Sequence, residues 1–172
     1  MIILVFGLPG SGKTFFSRHL KNEISACHLN TDIVRHEMNK KGSYDAKSTL
    51  EVYKRLMNKA EEKLTNGSNV IIDGTFHKQD RRNEITELAS EIGHDIFFIE
   101  IRASEQNVKI RLAKKREYSE ADYEVYMQMK KEFDPYPEYH LVLWSDSQSI
   151  VEMIIMAKNY IYGYPANTCP TG

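Results

Sequence analysis

The 172-residue sequence predicts an α/β fold in which about five parallel strands form one sheet covered by helices on both faces. Two observations lead to this prediction: short apolar runs of strand length recur along the chain, and stretches with helical spacing separate them. Strands joined through a helix form right-handed βαβ units, so the strands lie parallel in a three-layer sandwich. Ligands of such sheets bind at the carboxyl ends of the strands, where we expect the functional residues.

The five candidate strands are rich in β-branched and aromatic residues, as expected of strands that are buried on both faces. They cover Ile2–Phe6, Ala26–Leu29, Val70–Ile72, Ile96–Ile101 and Leu141–Trp144. Each run is shorter than eight residues, which is a length typical of strands and too short for most helices.

Four other stretches carry apolar residues at helical spacing. They are marked by Phe16, Leu20 and Ile24; by Leu50, Tyr53, Met57, Ala60 and Leu64; by Ile85, Leu88, Ala89 and Ile92; and by Ile150, Val151, Ile154, Ile155 and Ile161. A charged helical segment between the fourth and fifth strands interrupts the alternation. We interpret residues 104–134 as a lid inserted into a single domain that spans residues 1–172, with residues 163–172 as a tail of loop composition.

The composition, 41% hydrophobic and 27% charged residues, is that of an ordinary globular protein. The net charge of −1 excludes a broad cationic surface for a long nucleic acid. Cys27 and Cys169 are far apart and form no CxxC pair, which argues against a zinc cluster or a disulfide framework. The apolar run Met1–Phe6 is too short for a membrane span or a signal peptide. We therefore expect a cytoplasmic protein without membrane attachment or an evident obligate protein partner.

A glycine-rich loop follows the first strand and opens a helix. It consists of Gly7, Leu8, Pro9, Gly10, Ser11, Gly12, Lys13 and Thr14, and it matches the pattern GxxxxGK[ST]. The glycines let backbone N–H groups face phosphates, and the helix N-terminus adds the positive end of its dipole. Lys13 is expected to bridge the β- and γ-phosphates of ATP, and the Thr14 hydroxyl to ligate Mg²⁺. The sequence therefore predicts a P-loop NTPase fold that binds ATP and Mg²⁺.

A second metal-binding group is predicted after the third strand. Asp73 has the usual position of a Walker-B carboxylate that holds Mg²⁺ through water, although an Asp-Gly turn without a metal is the alternative. Gly74 follows at a position where hydrolytic ATPases often carry glutamate, which favours transfer to a bound acceptor over hydrolysis. Thr75 is a candidate for binding that acceptor, and His77 either lines the same pocket or is an ordinary loop histidine.

The second strand leads to a candidate general base. It should deliver Asp32 to the same sheet edge, where a carboxylate would orient the acceptor hydroxyl and accept its proton. Arg35, three residues later, would bind an anionic group of the acceptor through its planar guanidinium. The alternative is that Asp32 only caps a helix, as Asn30 also can, and that Arg35 is a solvated charge.

The predicted lid contains five cations within Lys109–Arg116. In a kinase lid such charges close over ATP and neutralise the charge that develops on the transferred phosphoryl group. Arg111 and Arg116 are the preferred catalytic members, and a solvated helix face is the alternative. The residues Tyr123, Tyr126, Met127, Met129 and Phe133 are expected to pack the lid against the body, with stacking on a base or sugar as the alternative. Arg81 and Arg82 are interpreted as surface charges, with contact to the acceptor as the alternative.

The loop near the amino terminus, the DxxR pair of Asp32 and Arg35 and the arginine-rich segment together resemble P-loop kinases of the polynucleotide kinase and zeta-toxin type. The resemblance covers roughly residues 1–145. Residues 30–36 are also similar to adenylylsulfate kinases, and residues 71–74 to nucleoside monophosphate kinases. The resemblance implies that Asp32 is the base and that Arg35 binds the acceptor, as the matching residues do in polynucleotide kinases.

We therefore predict an ATP-dependent kinase that moves the γ-phosphoryl group of ATP to a hydroxyl. By resemblance the acceptor is a polynucleotide or nucleotide 5′-hydroxyl or a small metabolite, and the near-neutral charge favours the small one. A nucleotide-dependent switch or an ATPase without an acceptor is the alternative, although the sequence lacks an NKxD motif for guanine. An ATP-binding protein without chemistry is disfavoured, because Lys13, Thr14, Asp32 and Asp73 occur together.

Overall fold

The computed structural model describes residues 1–40, 42–43, 45–114 and 121–163. Within these ranges five strands form one sheet: β1 (Ile2–Phe6), β2 (Ala26–Asn30), β3 (Asn69–Asp73), β4 (Ile96–Arg102) and β5 (Leu141–Trp144). The helices there are α1 (Lys13–Glu23), α2 (Thr31–Glu37), α3 (Ala46–Thr65), α4 (Gln79–Glu91), α5 (Glu105–Leu112), α6 (Tyr123–Lys131) and α7 (Ile150–Tyr162). All five predicted strands are confirmed, and β2, β3 and β4 extend one or two residues beyond the apolar runs.

All strands are parallel, in the order β2-β3-β1-β4-β5. The chain passes from the central strand β1 outward to β2, returns to β3 beside β1, and then crosses to β4 on the other side. The carboxyl ends of all five strands therefore meet at one edge. The change of direction beside β1 opens a crevice there, which is the usual ligand site of such sheets.

Strand β1 separates two hydrophobic cores, because successive side chains point to opposite faces. Ile2, Leu4 and Phe6 pack against α3 and α4, while Ile3 and Val5 pack against α1 and α7. All five side chains are fully buried. Each such burial contributes roughly 1.5–3 kcal/mol. The two cores make the three predicted layers and fix the carboxyl end of β1 in the middle of the molecule.

Helices α5 and α6 form the described part of the segment predicted as a lid. Val108, Leu112 and Tyr126 make a small buried cluster between them, to which Leu8 of the glycine-rich loop is added. Tyr123 stacks on Tyr126 with ring centroids 5.7 Å apart. Both tyrosines therefore pack between α5 and α6, within the segment itself. Residues 115–120, which include Arg116, lie outside the described residues, as does the predicted tail after Gly163.

Arg82 differs from its prediction, because it is fully buried rather than a surface charge. Its guanidinium donates to the backbone carbonyls of Phe76 at 2.6 Å and Asp134 at 2.5 Å, and to Gln79 Oε1 at 2.7 Å. It also lies 5.3 Å from the ring centroid of Phe6. Arg82 therefore joins the segment after β3 to the segment that leads into β5.

Its neighbour Arg81 is partly exposed, pairs with Glu84 at 2.5 Å and lies over the Tyr53 ring. This position agrees with the predicted surface charge.

Among the described residues, no helix has both the length and the apolar character needed to cross a membrane.

We expect Arg82→Met to lower the free energy of unfolding by about 3 kcal/mol, because the buried carbonyls of Phe76 and Asp134 would lose their donor. Arg81→Met is the matched control on the same helix turn and should cost less than about 1 kcal/mol, because its ion pair is partly exposed. Urea unfolding of both variants measures the difference. Equal losses would show that Arg82 does not join the two segments.

Candidate functional site

A cavity of about 890 Å³ lies at the carboxyl edge of the sheet. The predicted site residues that line it are Pro9, Gly10, Gly12, Lys13, Thr14, Asp32, Asp73, Thr75, His77 and Arg111. Gly7, Leu8 and Ser11 belong to the loop but do not line the cavity. The fold thus brings the glycine-rich loop, the first turn of α2, the end of β3 and α5 together around one space.

The glycine-rich loop depends on its glycines at three positions. Gly7, Gly10 and Gly12 have positive φ angles of 139°, 78° and 100°, a region that residues with a side chain rarely adopt. A Cβ atom at Gly7 would lie 2.3 Å from the carbonyl oxygen of Ile101 in β4. At Gly12 it would lie 3.1 Å from Ser145 Oγ. The loop is therefore held close to backbone on one side and to the turn after β5 on the other.

Lys13 begins α1, directly after this loop. Its ammonium group donates to the Leu8 carbonyl at 2.9 Å, and its side chain lines the cavity. The Lys13 side chain therefore lies across the loop, from the start of α1 to Leu8. A phosphate in the loop would meet both the ammonium charge and the N-terminus of α1.

Asp73 is fully buried at the end of β3 and belongs to a polar cluster. Its Oδ2 accepts a hydrogen bond from Asn30 Nδ2 at 2.7 Å and contacts His28 Nε2 at 3.1 Å. Asn30 Nδ2 also donates to Thr14 Oγ1 at 3.3 Å. The second carboxylate oxygen, Oδ1, is buried without a hydrogen-bond partner. Such an oxygen is costly to leave unpaired, so the cluster fits a cation or its bound water.

Mg²⁺ fits this arrangement. It prefers oxygen ligands and is usually held by one or two protein groups together with substrate phosphates and water. Thr14 and Asp73 both line the cavity, and Thr14 Oγ1 and Asp73 Oδ1 are the oxygens of this cluster that fit the cation or its bound water. In the part of the chain that the structure describes, no group of three or more His, Cys, Asp and Glu side chains would hold a metal alone.

Asp32 lies in the first turn of α2 and lines the cavity. The helix cap is Asn30, whose Oδ1 accepts the backbone N–H groups of Asp32 at 2.9 Å and Ile33 at 3.1 Å. The alternative in which Asp32 serves only as the cap is therefore wrong. Asn30, the last residue of β2, pairs in the sheet with Asp73, the last residue of β3. Asp32, two residues after Asn30, therefore lies just beyond the ends of these two strands.

The structure does not bring Arg35 to the cavity, in contrast to its predicted contact with the acceptor. Arg35 is buried, and its guanidinium donates to the carbonyl of Ser43. Its side chain thus connects α2 to the turn before α3. Thr75 does line the cavity, and its backbone carbonyl accepts the Gly7 N–H at 3.3 Å.

Arg111 reaches from α5 across the glycine-rich loop. Its Nη1 donates to the Gly10 carbonyl at 3.2 Å and to Ser145 Oγ at 2.8 Å, and its Nη2 donates to the Ser145 carbonyl at 3.2 Å. Ser145 Oγ in turn donates to the Ser11 carbonyl at 2.5 Å. Three separate segments are therefore joined on top of the loop, with the guanidinium at the cavity wall.

Several cavity residues were not among the predicted site residues. Asn30 and the α1 residues Phe15, Arg18 and His19 line it, as do Val125, Gln128 and Met129 of α6 and Glu132, the residue after α6. Sequence spacing contained a signal for the α6 residues, because positions three, four and seven apart share one helix face. Met129, for which packing against the body and contact with a base or sugar were the two expectations, lines the cavity from this face.

A family model described as an AAA domain matches residues 2–136. The chain belongs to this AAA domain family. The match covers β1 to β4 and most of the segment that leads to β5, including every predicted site residue. No curated protein matches the chain.

Solved structures with the same fold as this AAA domain include several kinases. An unliganded sugar kinase from Janibacter sp. HTCC2649 has a TM-score of 0.73 at 17% identity, covering 96% of both chains. The APS kinase CysC of Mycobacterium tuberculosis, in complex with AMPPNP and APS, has a TM-score of 0.73 at 17% identity, covering 94% of this chain and 96% of that one. Kti12 of Chaetomium thermophilum, in complex with ADP-AlF3, has a TM-score of 0.74 at 16% identity, covering 94% and 99%. The predicted P-loop α/β fold and the resemblance to P-loop kinases are confirmed.

We expect Gly7→Ala to destabilise the protein by more than about 3 kcal/mol and to abolish nucleotide binding, because its Cβ would overlap the Ile101 carbonyl. Gly67→Ala is the matched control: Gly67 also has a positive φ, 77°, but nothing lies within 4 Å of its added Cβ. It should cost about 1 kcal/mol. Thermal unfolding and AMPPNP titration distinguish the two, and equal stability losses would contradict the role of the close approach.

His77 generates a pH dependence. Burial lowers the pKa of His77 from its usual 6.5, although Glu132 opposes the shift. The unfolded chain therefore binds the proton more tightly, so stability is full above pH 6.5 and falls as the pH drops through the lowered pKa. We expect His77→Gln to reduce the loss of unfolding free energy between about pH 7.5 and about pH 5.5. Urea unfolding at both pH values checks this, and an unchanged loss would contradict it.

Proposed function

We propose that the protein is an ATP-dependent kinase that transfers the γ-phosphoryl group of ATP to the hydroxyl of an acceptor. One observation carries the proposal: a single cavity contains the phosphate-loop residues Lys13 and Thr14 together with the carboxylates Asp32 and Asp73. Such a cavity would hold a nucleotide, a metal ion and an acceptor next to each other, as in-line phosphoryl transfer requires.

ATP would bind with its phosphates in the glycine-rich loop. The backbone N–H groups of the loop and the N-terminus of α1 supply partial positive charge, and Lys13 supplies a full charge. Thr14 and, through water, Asp73 would hold Mg²⁺. When bound, Mg²⁺ supplies charge neutralisation on the phosphate oxygens.

Asp32 is proposed as the general base. Its carboxylate would orient the acceptor hydroxyl and take its proton while the hydroxyl oxygen forms a bond to the γ-phosphorus. The bond between the γ-phosphorus and the oxygen that bridges it to the β-phosphorus breaks, and ADP leaves with that electron pair. The position of Asp32 in the cavity, separate from the helix cap, supports this role.

Arg111 is proposed to neutralise charge on the transferred group, which its position over the Gly10 carbonyl supports. Bound nucleotide would replace Ser145 as one of its partners. Arg116 has the same proposed role on the basis of the sequence alone.

The acceptor is proposed to bind against Asp32 and Thr75, with α6 as the facing wall. It is a polynucleotide or nucleotide 5′-hydroxyl or a small metabolite. The cavity volume of about 890 Å³ falls within the range for small-molecule sites and must also hold a triphosphate. This supports a small acceptor, as does the fold shared with a sugar kinase and an APS kinase.

The proposal is tested by incubating the protein with Mg²⁺ and γ-labelled ATP in the presence of pools of oligonucleotides, nucleosides, sugars and sulfonucleotides. Label in one pool identifies the acceptor class. Rapid release of labelled phosphate without any labelled pool would contradict the kinase and favour an ATPase or switch. Binding of oligonucleotides at low salt that weakens steeply as the salt concentration rises would favour the polynucleotide acceptor.

We expect Asp32→Asn to lower kcat for phosphoryl transfer by about 10²-fold or more while AMPPNP affinity stays nearly unchanged, because the amide cannot accept the proton. Asp80→Asn is the matched control, since Asp80 is an exposed acid in the first turn of α4. Steady-state kinetics with the identified acceptor provide the measurement. Full activity of Asp32→Asn would remove Asp32 from the proposed mechanism.

A further inference from the structure

Asn30 lines the cavity at the junction of β2 and α2. It is 7% exposed and sits between the end of β2 and the start of α2. Its Nδ2 donates to Asp73 Oδ2 at 2.7 Å and to Thr14 Oγ1 at 3.3 Å. Its Oδ1 accepts the backbone N–H groups of Asp32 and Ile33 at 2.9 and 3.1 Å. One amide therefore contacts four groups in three segments of the chain.

The orientation of this amide is determined by its neighbours. Backbone N–H groups only donate, so the oxygen of Asn30 must face Asp32 and Ile33. The NH₂ group then faces Asp73 and Thr14, and its two hydrogens match these two oxygens. Rotating the amide by half a turn would place donors against donors and an amide oxygen against a carboxylate.

The bond to Asn30 fixes which oxygen of Asp73 remains for other partners. Oδ2 is occupied by Asn30 and by His28, whereas Oδ1 is buried without a hydrogen-bond partner. Hydrogen bonds to an ionised group are strong in a buried site, so the rotation of the carboxylate about its bond is held. Oδ1 is thereby aimed as the carboxylate's remaining acceptor.

We propose that Asn30 is a positioning residue that couples the magnesium site to the acceptor helix. The same amide orients Asp73 and Thr14, the proposed magnesium-binding groups, and caps α2, which carries Asp32. This inference rests on the proposed function for the roles of those groups. The coupling means that a change at the metal-binding oxygens is transmitted to the first turn of α2 through one side chain.

The side-chain type separates this role from plain helix capping. Serine, threonine and aspartate cap helices as well as or nearly as well as asparagine. Serine and threonine are too short to reach the Asp73 carboxylate from this backbone position. Aspartate carries no donor and would place a second negative charge beside Asp73. Asparagine alone among the common caps provides both the acceptor for α2 and the donors for the two metal-binding groups.

The test compares the affinity for AMPPNP with Mg²⁺ and with EDTA by calorimetry, in wild type and in Asn30→Ser. The serine keeps the cap and removes both amide N–H donors, leaving a single O–H on a shorter side chain. We expect about tenfold or greater loss of affinity with Mg²⁺, as for other residues that orient metal ligands, and less than about twofold with EDTA. Ser149→Ala removes the cap of α7 and is the matched control. It should lower the melting temperature and leave the Mg²⁺ dependence unchanged.

An unchanged Mg²⁺ dependence in Asn30→Ser would overturn the inference and leave Asn30 as a cap only. Equal losses with Mg²⁺ and with EDTA would overturn it as well, because the effect would then be general damage to the cavity. An equal affinity of the wild type for AMPPNP with Mg²⁺ and with EDTA would also overturn the inference. If Asn30→Ser does not fold, Asn30→Thr gives the same comparison. Because binding is measured, a wild type without transfer activity contradicts the proposed function and not this inference.

Discussion

The close contact between Gly7 and the backbone of β4 determines where the rest of the site lies. Strand β1 is buried on both faces, and its last residue is followed by a glycine whose missing side chain lets the chain pass the Ile101 carbonyl. The loop then turns over the sheet edge, and α1 begins at Lys13. Arg111 and Ser145 hold the loop from above. The backbone of the loop is thus fixed by packing before any ligand binds, which lowers the cost of ordering it.

The sheet order brings the acidic residues to this fixed loop. Strand β3 lies beside β1, and β2 lies beyond β3. Asp73 at the end of β3 is therefore next to the loop, and Asn30 at the end of β2 is level with Asp73. Helix α2 starts directly after Asn30, and Asp32 in its first turn lines the same cavity. The hydrogen bond from Asn30 and the contact with His28 partly compensate the cost of burying the Asp73 carboxylate. The remaining oxygen, Asp73 Oδ1, is buried without a hydrogen-bond partner, and a magnesium-nucleotide complex would provide one.

Sequence reasoning predicted the elements and the loop because those features are local. The strands β1 and β5 are bounded as expected, and the glycine pattern places Lys13 and Thr14 through the motif alone. The buried positions of Arg35 and Arg82 were not predicted, because their partners are backbone carbonyls outside their own helices, Ser43 in the turn before α3 and Asp134, which is 52 residues away along the chain. A charged residue beside apolar ones resembles a surface position until the packing of a neighbouring segment is known.

The Asn30 network was also beyond sequence reasoning, although the capping ability of Asn30 was recognised. Capping depends on the next three residues, but the bonds to Thr14 and Asp73 depend on the order of strands in the sheet. The α6 face of the cavity shows an intermediate case. Its spacing is visible in the sequence, yet the choice between the face toward α5 and the face toward the cavity requires the fold.

A crystal structure with Mg²⁺ and AMPPNP tests the central claim most directly, that one cavity joins the nucleotide to the acceptor site. We expect the γ-phosphate beside Lys13, the cation on Thr14 Oγ1 and, through water, on Asp73 Oδ1. The Asp32 carboxylate should lie about 6 Å from the γ-phosphorus, the separation that admits one hydroxyl between them. A γ-phosphate that faces away from Asp32, or a cation bound without Thr14 and Asp73, would contradict this account.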